Sequence, residues 1–361
     1  MTVPGRLLLG PGPSPVSQRV MDALASPVLS HLDPQLLKVM DELRAMLERT
    51  FLAAPESSTL AISGTGTSGM EAAVANMTSP GATATVVVSG YFGDRLAQML
   101  ERYGAAVRRI EVEWGRACDP ALVERALRDK RSDIVAVVHA ETSTGVCNLV
   151  DDIAAIARTH DALLIVDAVT SLGGMPVDVA SWGTVVCYSC SQKGLGAPSG
   201  LAPITFSKDA LARRVQSRSL YLDLALLEDY WVRRKYHHTI SSLLILALHQ
   251  SLRVVEEEGL SDRHTRHHAN HLLLAEGLEA LGLQLLPPPS ERLWTLNAVK
   301  VPDGVDEASV RRQLLDDFGI EIGAGLGPLA GRIWRVGLMG AGSTSANVSL
   351  LLSGLGEILK R

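Results

Sequence analysis

Thr59-Leu60-Ala61-Ile62-Ser63-Gly64-Thr65-Gly66-Thr67-Ser68-Gly69-Met70 reads as a short apolar strand that ends in glycines and hydroxyls and then opens a helix over 70–77. Such a junction gathers free backbone N–H groups at the positive end of a helix dipole, where a phosphate can be held. The hydroxyls of Thr65, Thr67 and Ser68 suit a phosphomonoester. The unit is repeated outward from here. Apolar runs at 84–89, 134–139 and 162–166 alternate with helix-like stretches at 94–103, 120–128 and 151–159. Ahead of them, 34–51 carries Leu36, Met40, Leu43, Leu47 and Phe51 at amphipathic spacing. Strands that are apolar throughout and joined by helices predict an α/β fold with a mostly parallel central sheet covered on both faces.

Near residue 260 the pattern changes. A long helix over 243–259 is followed by Pro287-Pro288-Pro289, a strand near 293–301, a helix at 307–318, a strand at 333–338 and a terminal helix at 346–359. That order predicts a small C-terminal α+β domain after the large one. The chain has 361 residues, 47% of them apolar and 20% charged, which excludes a disordered chain and a disulfide scaffold. Thirty-four basic residues stand against thirty-nine acidic ones, a formal charge of −5, with no block of like charge. No nucleic-acid or membrane partner is therefore expected. The longest near-candidate for a membrane span, 243–248, falls far short of the roughly 18 residues required. The residues from Met1 to Gly10 are too poor in apolar side chains for a signal peptide, so a cytoplasmic protein is expected. Cys187 and Cys190 have C-x-x-C spacing without a second pair, and with Cys118 and Cys147 they read as small buried thiols.

Gly64, Gly66 and Gly69 also satisfy the dinucleotide pattern G-x-G-x-x-G. That motif needs an acid about 20 positions on to hold the ribose, and the second strand ends in Val88-Ser89-Gly90. Asp167 closes the buried run 162–166 at the carboxyl end, where ligands of open α/β sheets bind. Ser189-Cys190-Ser191-Gln192-Lys193-Gly194 sets one lysine among small residues, where loss of water turns an ammonium into a usable amine. A phosphate cradle, a strand-end acid and such a lysine are together the parts that hold pyridoxal phosphate: phosphate, ring nitrogen and aldehyde. His264, His267, His268 and His271 share one face of a further helix, a spacing able to bind metal; with Arg263 and Arg266 beside them and 272–274 on the buried side, a solvated face is expected.

The sequence resembles the class V, fold-type I aminotransferases, in particular the alanine–glyoxylate and serine–glyoxylate (serine–pyruvate) group. The likeness rests on Leu9-Gly10-Pro11-Gly12-Pro13, Gly93-Asp94-Arg95, His139-Ala140-Glu141-Thr142-Ser143-Thr144-Gly145, Asp167-Ala168-Val169-Thr170-Ser171, Ser191-Gln192-Lys193, Tyr236-His237-His238-Thr239 and Arg335-Val336-Gly337. The resemblance implies that Lys193 bonds the cofactor aldehyde and shuttles the proton, and that Asp167 pairs with the ring nitrogen. It implies Val169 and Phe92 on the two ring faces and Thr142 at the ring 3-oxygen. Thr65, Gly66, Thr67 and Gln192 would bind the phosphate, joined by Tyr236 and Thr239 of a neighbouring subunit in a homodimer. Arg335 would grip the substrate carboxylate, and Gly12 would line the substrate pocket. The domains implied are an arm over 1–20 at the active site and dimer interface, a cofactor-binding large domain over 21–258 and a small domain over 259–361. The reaction implied is pyridoxal-phosphate-dependent transfer of an amino group between alanine or serine and glyoxylate or pyruvate. Other readings remain open: another class V transaminase such as a ureidoglycine–glyoxylate enzyme, a lyase or desulfurase of the same fold, a nicotinamide oxidoreductase. Thr67 stands where many relatives have histidine, and Phe92 where they have tryptophan.

Overall fold

A strand that is apolar on both sides is stable only beneath two layers of helices, and the computed structural model meets that requirement. It describes residues 5–360, so the first four residues of the expected arm and Arg361 lie outside the described residues. The strands in chain order are β1 (Leu7–Leu8), β2 (Ser58–Gly64), β3 (Thr83–Val88), β4 (Ala106–Glu111), β5 (Ile134–Val138), β6 (Ala140–Glu141) and β7 (Val146–Cys147). They continue with β8 (Leu163–Asp167), β9 (Val185–Tyr188), β10 (Gly200–Phe206), β11 (Leu296–Lys300), β12 (Ile320–Glu321), β13 (Gly323–Ala324) and β14 (Ile333–Gly337). Seven form one sheet in the order β2-β10-β9-β8-β5-β3-β4. Only β10 runs against the others, antiparallel to β2 and β9. The sheet is the mostly parallel one that the apolar runs predict.

Helices start earlier than hydrophobic spacing alone indicates. Gly66–Met77 takes in the glycine-rich turn, and Tyr91–Arg102 takes in Phe92, so both segments present first-turn N–H groups at the edge where the strands end. The helix Pro34–Thr50 begins with Asp33 accepting from the Gln35 N–H and buries Leu36, Met40, Leu43 and Leu47 completely. β4 and β10 are not anticipated. β4 is an edge strand carrying Arg108 and Arg109, half exposed, and β10 contains Pro203, which reads as a break.

The antiparallel sheet β11-β14-β13 packs with the helices Leu260–Ala280, Glu307–Phe318 and Ser345–Leu359. One apolar cluster runs from Leu36 to Leu252 and a second from Leu274 to Ile358, and the second also takes in Leu9. The chain start reaches that second cluster because β1 lies parallel to β12, and the Gly337 N–H donates to the Leu9 carbonyl at 2.8 Å. Among the described residues no helix is long and apolar enough to cross a membrane. Cys118, Cys187 and Cys190 are buried free thiols, and Cys147 is partly exposed.

The histidine helix corrects the expectation of a solvated face. His267 and His271 are buried, whereas Leu272 and Leu273 are the exposed residues, 46% and 39%. The helix lies between the two units, so its polar side faces backbone groups of the large one. Arg263, 2% exposed, donates from Nε to the Gly173 carbonyl and from Nη2 to the Gly194 carbonyl, both at 2.7 Å, and from Nη1 to Glu258 at 2.6 Å. His267 Nδ1 bonds the Arg263 carbonyl and His271 Nδ1 bonds Asn297 Oδ1. Burial pushes the two rings down to about 3 and about 4, which keeps them neutral. Among the described residues no cluster of three or more His, Cys, Asp or Glu side chains is arranged to hold a metal.

Arg263 therefore ties the loop after Asp167 to the loop around Lys193. Replacing it by methionine, which keeps the bulk, leaves both carbonyls and one side of Glu258 without their cation. R263M is expected to lose about 3 kcal/mol or more of folding stability, and R263K to recover part of it, because a single ammonium lacks the guanidinium fork. Urea unfolding followed by far-ultraviolet circular dichroism checks this; an unchanged midpoint for R263M refutes it.

Candidate active site

The parallel strands deliver their carboxyl ends to one edge, the edge at which open α/β sheets bind ligands. β8 ends in Asp167, 4% exposed, in register with Tyr188 at the end of β9. The turn after β9 carries Lys193; β2 runs into the helix Gly66–Met77, and β3 precedes the helix Tyr91–Arg102. A cavity of about 260 Å³ opens where these segments meet. Thr65, Gly66 and Thr67 line one end; Asp167, Val169 and Thr142 line its floor; Phe92, Gln192, Lys193 and Gly12 complete it. Arg335 is not in this lining, although its charge acts on Lys193. Tyr236 and Thr239 are not in this lining either; both are exposed, Tyr236 at 62% and edge-on to His31.

Asp167 has two neutral donors. Its Oδ1 accepts from the Val169 N–H at 2.8 Å and its Oδ2 from the Tyr188 hydroxyl at 2.9 Å. Burial outweighs them and lifts the carboxyl to about 7; the negative charge of Glu141 adds to the rise and Lys193 opposes it. Lys193 moves the other way. Loss of water lowers its ammonium pKa, the guanidinium of Arg335 lowers it further, and Nζ donates to the carbonyl of Pro11. The arm passes directly over this amine: Gly12 has φ +112°, and a Cβ there would stand 2.7 Å from Lys193 Cδ and Cε. Glycine alone meets both demands.

The cradle is built by the helix Gly66–Met77. Thr65 is its N-cap residue, yet the Thr65 side chain makes no capping bond and keeps its hydroxyl available. Ser68 does not join it, contrary to expectation: its hydroxyl turns back to donate to the Thr65 carbonyl at 2.6 Å, in space left by Gly64, where a Cβ would be 2.1 Å from Ser68 Oγ. Gln192 Oε1 is buried without a partner among the described residues. Arg335 donates from Nε to the Ala324 carbonyl at 2.6 Å; burial brings its guanidinium down to about 10 against the opposing charges of Glu141 and Glu321.

Three residues escaped the sequence reading. Tyr188 touches Asp167 only because β8 and β9 pair in one register, which no local pattern reveals. Arg95 lies over the rings of Tyr91 and Phe92 at 4.9 and 5.4 Å and approaches Thr67 Oγ1 at 3.4 Å. Glu141 was legible as a lone acid in a hydroxyl-rich run, the one signal of the three.

A family model described as aminotransferase class-V matches residues 7–336. The chain belongs to the class-V aminotransferases. An alanine–glyoxylate aminotransferase structure from Nostoc sp. is 44% identical with a TM-score of 0.96, covering 99% of this chain and 96% of that one. A ureidoglycine–glyoxylate aminotransferase structure from Bacillus subtilis is 40% identical with a TM-score of 0.96, covering 100% and 94%. The alanine–glyoxylate aminotransferase of Drosophila melanogaster is 38% identical over 99% of this chain and 93% of its own length. Class-V aminotransferases of this fold, fold-type I, depend on pyridoxal 5′-phosphate. The residues of the cavity fit that group: Asp167 is a buried carboxyl lacking a cation, Lys193 a desolvated amine, and Thr65 an unspent hydroxyl at a helix start.

The carboxyl of Asp167 sets a pH dependence in the apoprotein. Its folded pKa of about 7 lies above the ordinary 3.8, so the folded state holds the extra proton between those values and loses stability as pH rises through them. Below that window the burden is absent, and above it the burden is complete. In thermal melts without cofactor, D167N should gain on the wild type between about pH 4 and about pH 8. A difference that does not change with pH contradicts the assignment.

Proposed function

We propose that this aminotransferase moves the amino group of a small amino acid, alanine or serine, to a small 2-oxo acid, glyoxylate or pyruvate, by a ping-pong double displacement. The observation that carries this reading is the convergence of Lys193, Asp167 and the Thr65–Thr67 turn on one cavity of about 260 Å³. Relatives named for glyoxylate as acceptor support the oxo acid, and those named for alanine support the donor. The Bacillus subtilis relative, named for ureidoglycine, supports a second donor that the same test distinguishes.

Pyridoxal phosphate, when bound, supplies an aldehyde that takes the amino group and a ring that accepts electrons from the substrate α-carbon. Thr65, Gly66, Thr67 and Gln192 hold its phosphate. Asp167, kept in place by the Val169 N–H and the Tyr188 hydroxyl, would pair with the ring nitrogen, whose positive charge would favour the ionised acid despite burial. Val169 and Phe92 would pack on the ring, and Thr142, whose hydroxyl meets that of Thr170 at 2.5 Å, would hydrogen-bond its 3-oxygen. Arg335 binds the substrate carboxylate through its terminal nitrogens, since Nε is already committed to Ala324. Lys193 Nζ takes the proton from the substrate α-carbon, a task that its lowered pKa prepares.

The working unit in this reading is a homodimer. Tyr236 and Thr239 would reach the phosphate of the partner subunit's site, in keeping with their exposure on this one. Exposed Val28, Leu220, Tyr221 and Tyr236, from 45% to 78% accessible, supply an apolar surface that a second copy covers.

Single-turnover absorbance of the holoenzyme, with alanine, serine, glycine and ureidoglycine offered one at a time, tests the donor assignment. Bleaching fastest with alanine or serine, and restored by glyoxylate, is the expected result; bleaching only with ureidoglycine replaces the donor. R335Q should lower kcat/KM for alanine roughly 10- to 100-fold, the worth of a hydrogen bond to a charged group. K193A should lower turnover roughly 10²- to 10⁴-fold and lose the cofactor bond that borohydride fixes. A bond that is still reducible in K193A sinks the assignment of the lysine.

A further inference from the structure

Glu141 is a buried charge to which nothing above gives a task. It is fully buried on β6 and forms no salt bridge among the described residues. Its Oε1 accepts from the Ser143 N–H at 3.1 Å, the Ser143 hydroxyl at 2.5 Å and the Phe92 N–H at 3.4 Å, and its Oε2 accepts from the Gly93 N–H at 3.1 Å. Ser143 Oγ in turn accepts from the Tyr91 N–H at 2.9 Å. Three successive N–H groups of one helix's first turn therefore end on a single carboxylate–hydroxyl pair. Every one of these neighbours donates to Glu141 and so favours the ionised form, while burial outweighs them and raises its pKa.

A helix start needs much less than this. An exposed serine or aspartate at the N-cap satisfies the first-turn donors at low cost, whereas a fully buried carboxylate is expensive, and Arg335 attracts this one without forming a salt bridge to it. The N-cap here is Gly90, and the position cannot carry a side chain: a Cβ would stand 2.4 Å from Ser143 Oγ and 2.6 Å from Glu141 Cγ. The usual solution has been displaced by one that grips the turn from inside the protein. The residue in that turn that faces the cavity is Phe92.

We propose that Glu141 is a positioning residue, which anchors the Tyr91–Gly93 turn from within so that the Phe92 ring is fixed against the cofactor. This rests on the reading that Phe92 stands on the cofactor ring. Glu141→Gln keeps the shape of the side chain but turns one acceptor into a donor, which must face either the Gly93 N–H or the Ser143 pair. The turn is then released while the core around it stays filled.

The test uses holoenzyme carrying E141Q, F92L or both, with visible circular dichroism of the bound cofactor as the orientation signal and kcat and KM for the amino donor alongside. E141Q is expected to keep the far-ultraviolet spectrum, alter the visible ellipticity and lower kcat about 10-fold with KM changed less than about 2-fold. F92L should give the same signature, and the double variant should fall no further than the worse single one, the non-additivity of two residues acting through one contact. Wild-type ellipticity and kcat in E141Q, or losses that multiply in the double variant, overturn the inference. A silent F92L overturns the ring-face reading itself, and this inference with it. If E141Q fails to fold, S143A carries the same cycle, since it removes only the hydroxyl joining Glu141 to the Tyr91 N–H.

Discussion

The site is organised by a carboxylate that the protein buries without a counter-ion. Asp167 stands at the end of a strand flanked on both sides by other strands, and its two hydrogen bonds come from a backbone N–H and a phenol. Neither donor carries charge, so the desolvation cost stays largely unrelieved and shows itself in a carboxyl lifted to about 7. Lys193 does not neutralise it, since Nζ is turned to the Pro11 carbonyl. In the proposed reaction the acid meets the cation that a bound cofactor would bring, and the amine, joined only to a neutral carbonyl, keeps its charge from the acid. One deficit thus assigns both residues their work.

The remaining parts serve to keep those two groups apart and in place. The arm lays Gly12 against the lysine stem, and Ser14 donates from its N–H to the Gln192 carbonyl and from its hydroxyl to the Lys193 carbonyl at 2.8 Å. From the opposite side Arg263 reaches out of the second unit to bond the carbonyls of Gly173 and Gly194. The loop bearing the lysine is held by elements from both ends of the sequence, so the small unit contributes to the site without lining the cavity. Arg335 is placed by the same economy, on a strand of that unit whose β14 register sets it opposite Gly323 and Ala298.

Much of this was legible in the residues, and the limits have physical causes. The central strands declared themselves because Val86-Val87-Val88 and Leu163-Leu164-Ile165-Val166 are apolar on both faces, which only a covered parallel sheet explains. β4 did not, because an edge strand is permitted its arginines. Asp167, Lys193 and the Thr65–Thr67 turn were visible as chemistry out of place in apolar or glycine-rich settings. Tyr188 was not, because a tyrosine at the end of a buried strand looks like core until pairing sets it against the acid. The histidine helix misled for a related reason. Four histidines and two arginines on one face resemble a wet surface, yet the helix packs against loops whose carbonyls need donors, and Arg263 supplies them from a buried position.

The two departures at the cradle meet in one residue. The resemblance puts Thr67 and Phe92 at positions where many relatives carry an imidazole and an indole. Arg95 stands at the point between them. Its guanidinium covers the Phe92 ring and approaches Thr67 Oγ1, and it donates to the Tyr91 hydroxyl at 3.1 Å. The neighbouring acid does not cancel its charge, because Asp94 is taken by Arg109. The positive group of Arg95 thus stands beside a helix start at the end of the cavity where Thr65 and Thr67 lie, two contributions of one sign that suit the phosphate of the proposed cofactor.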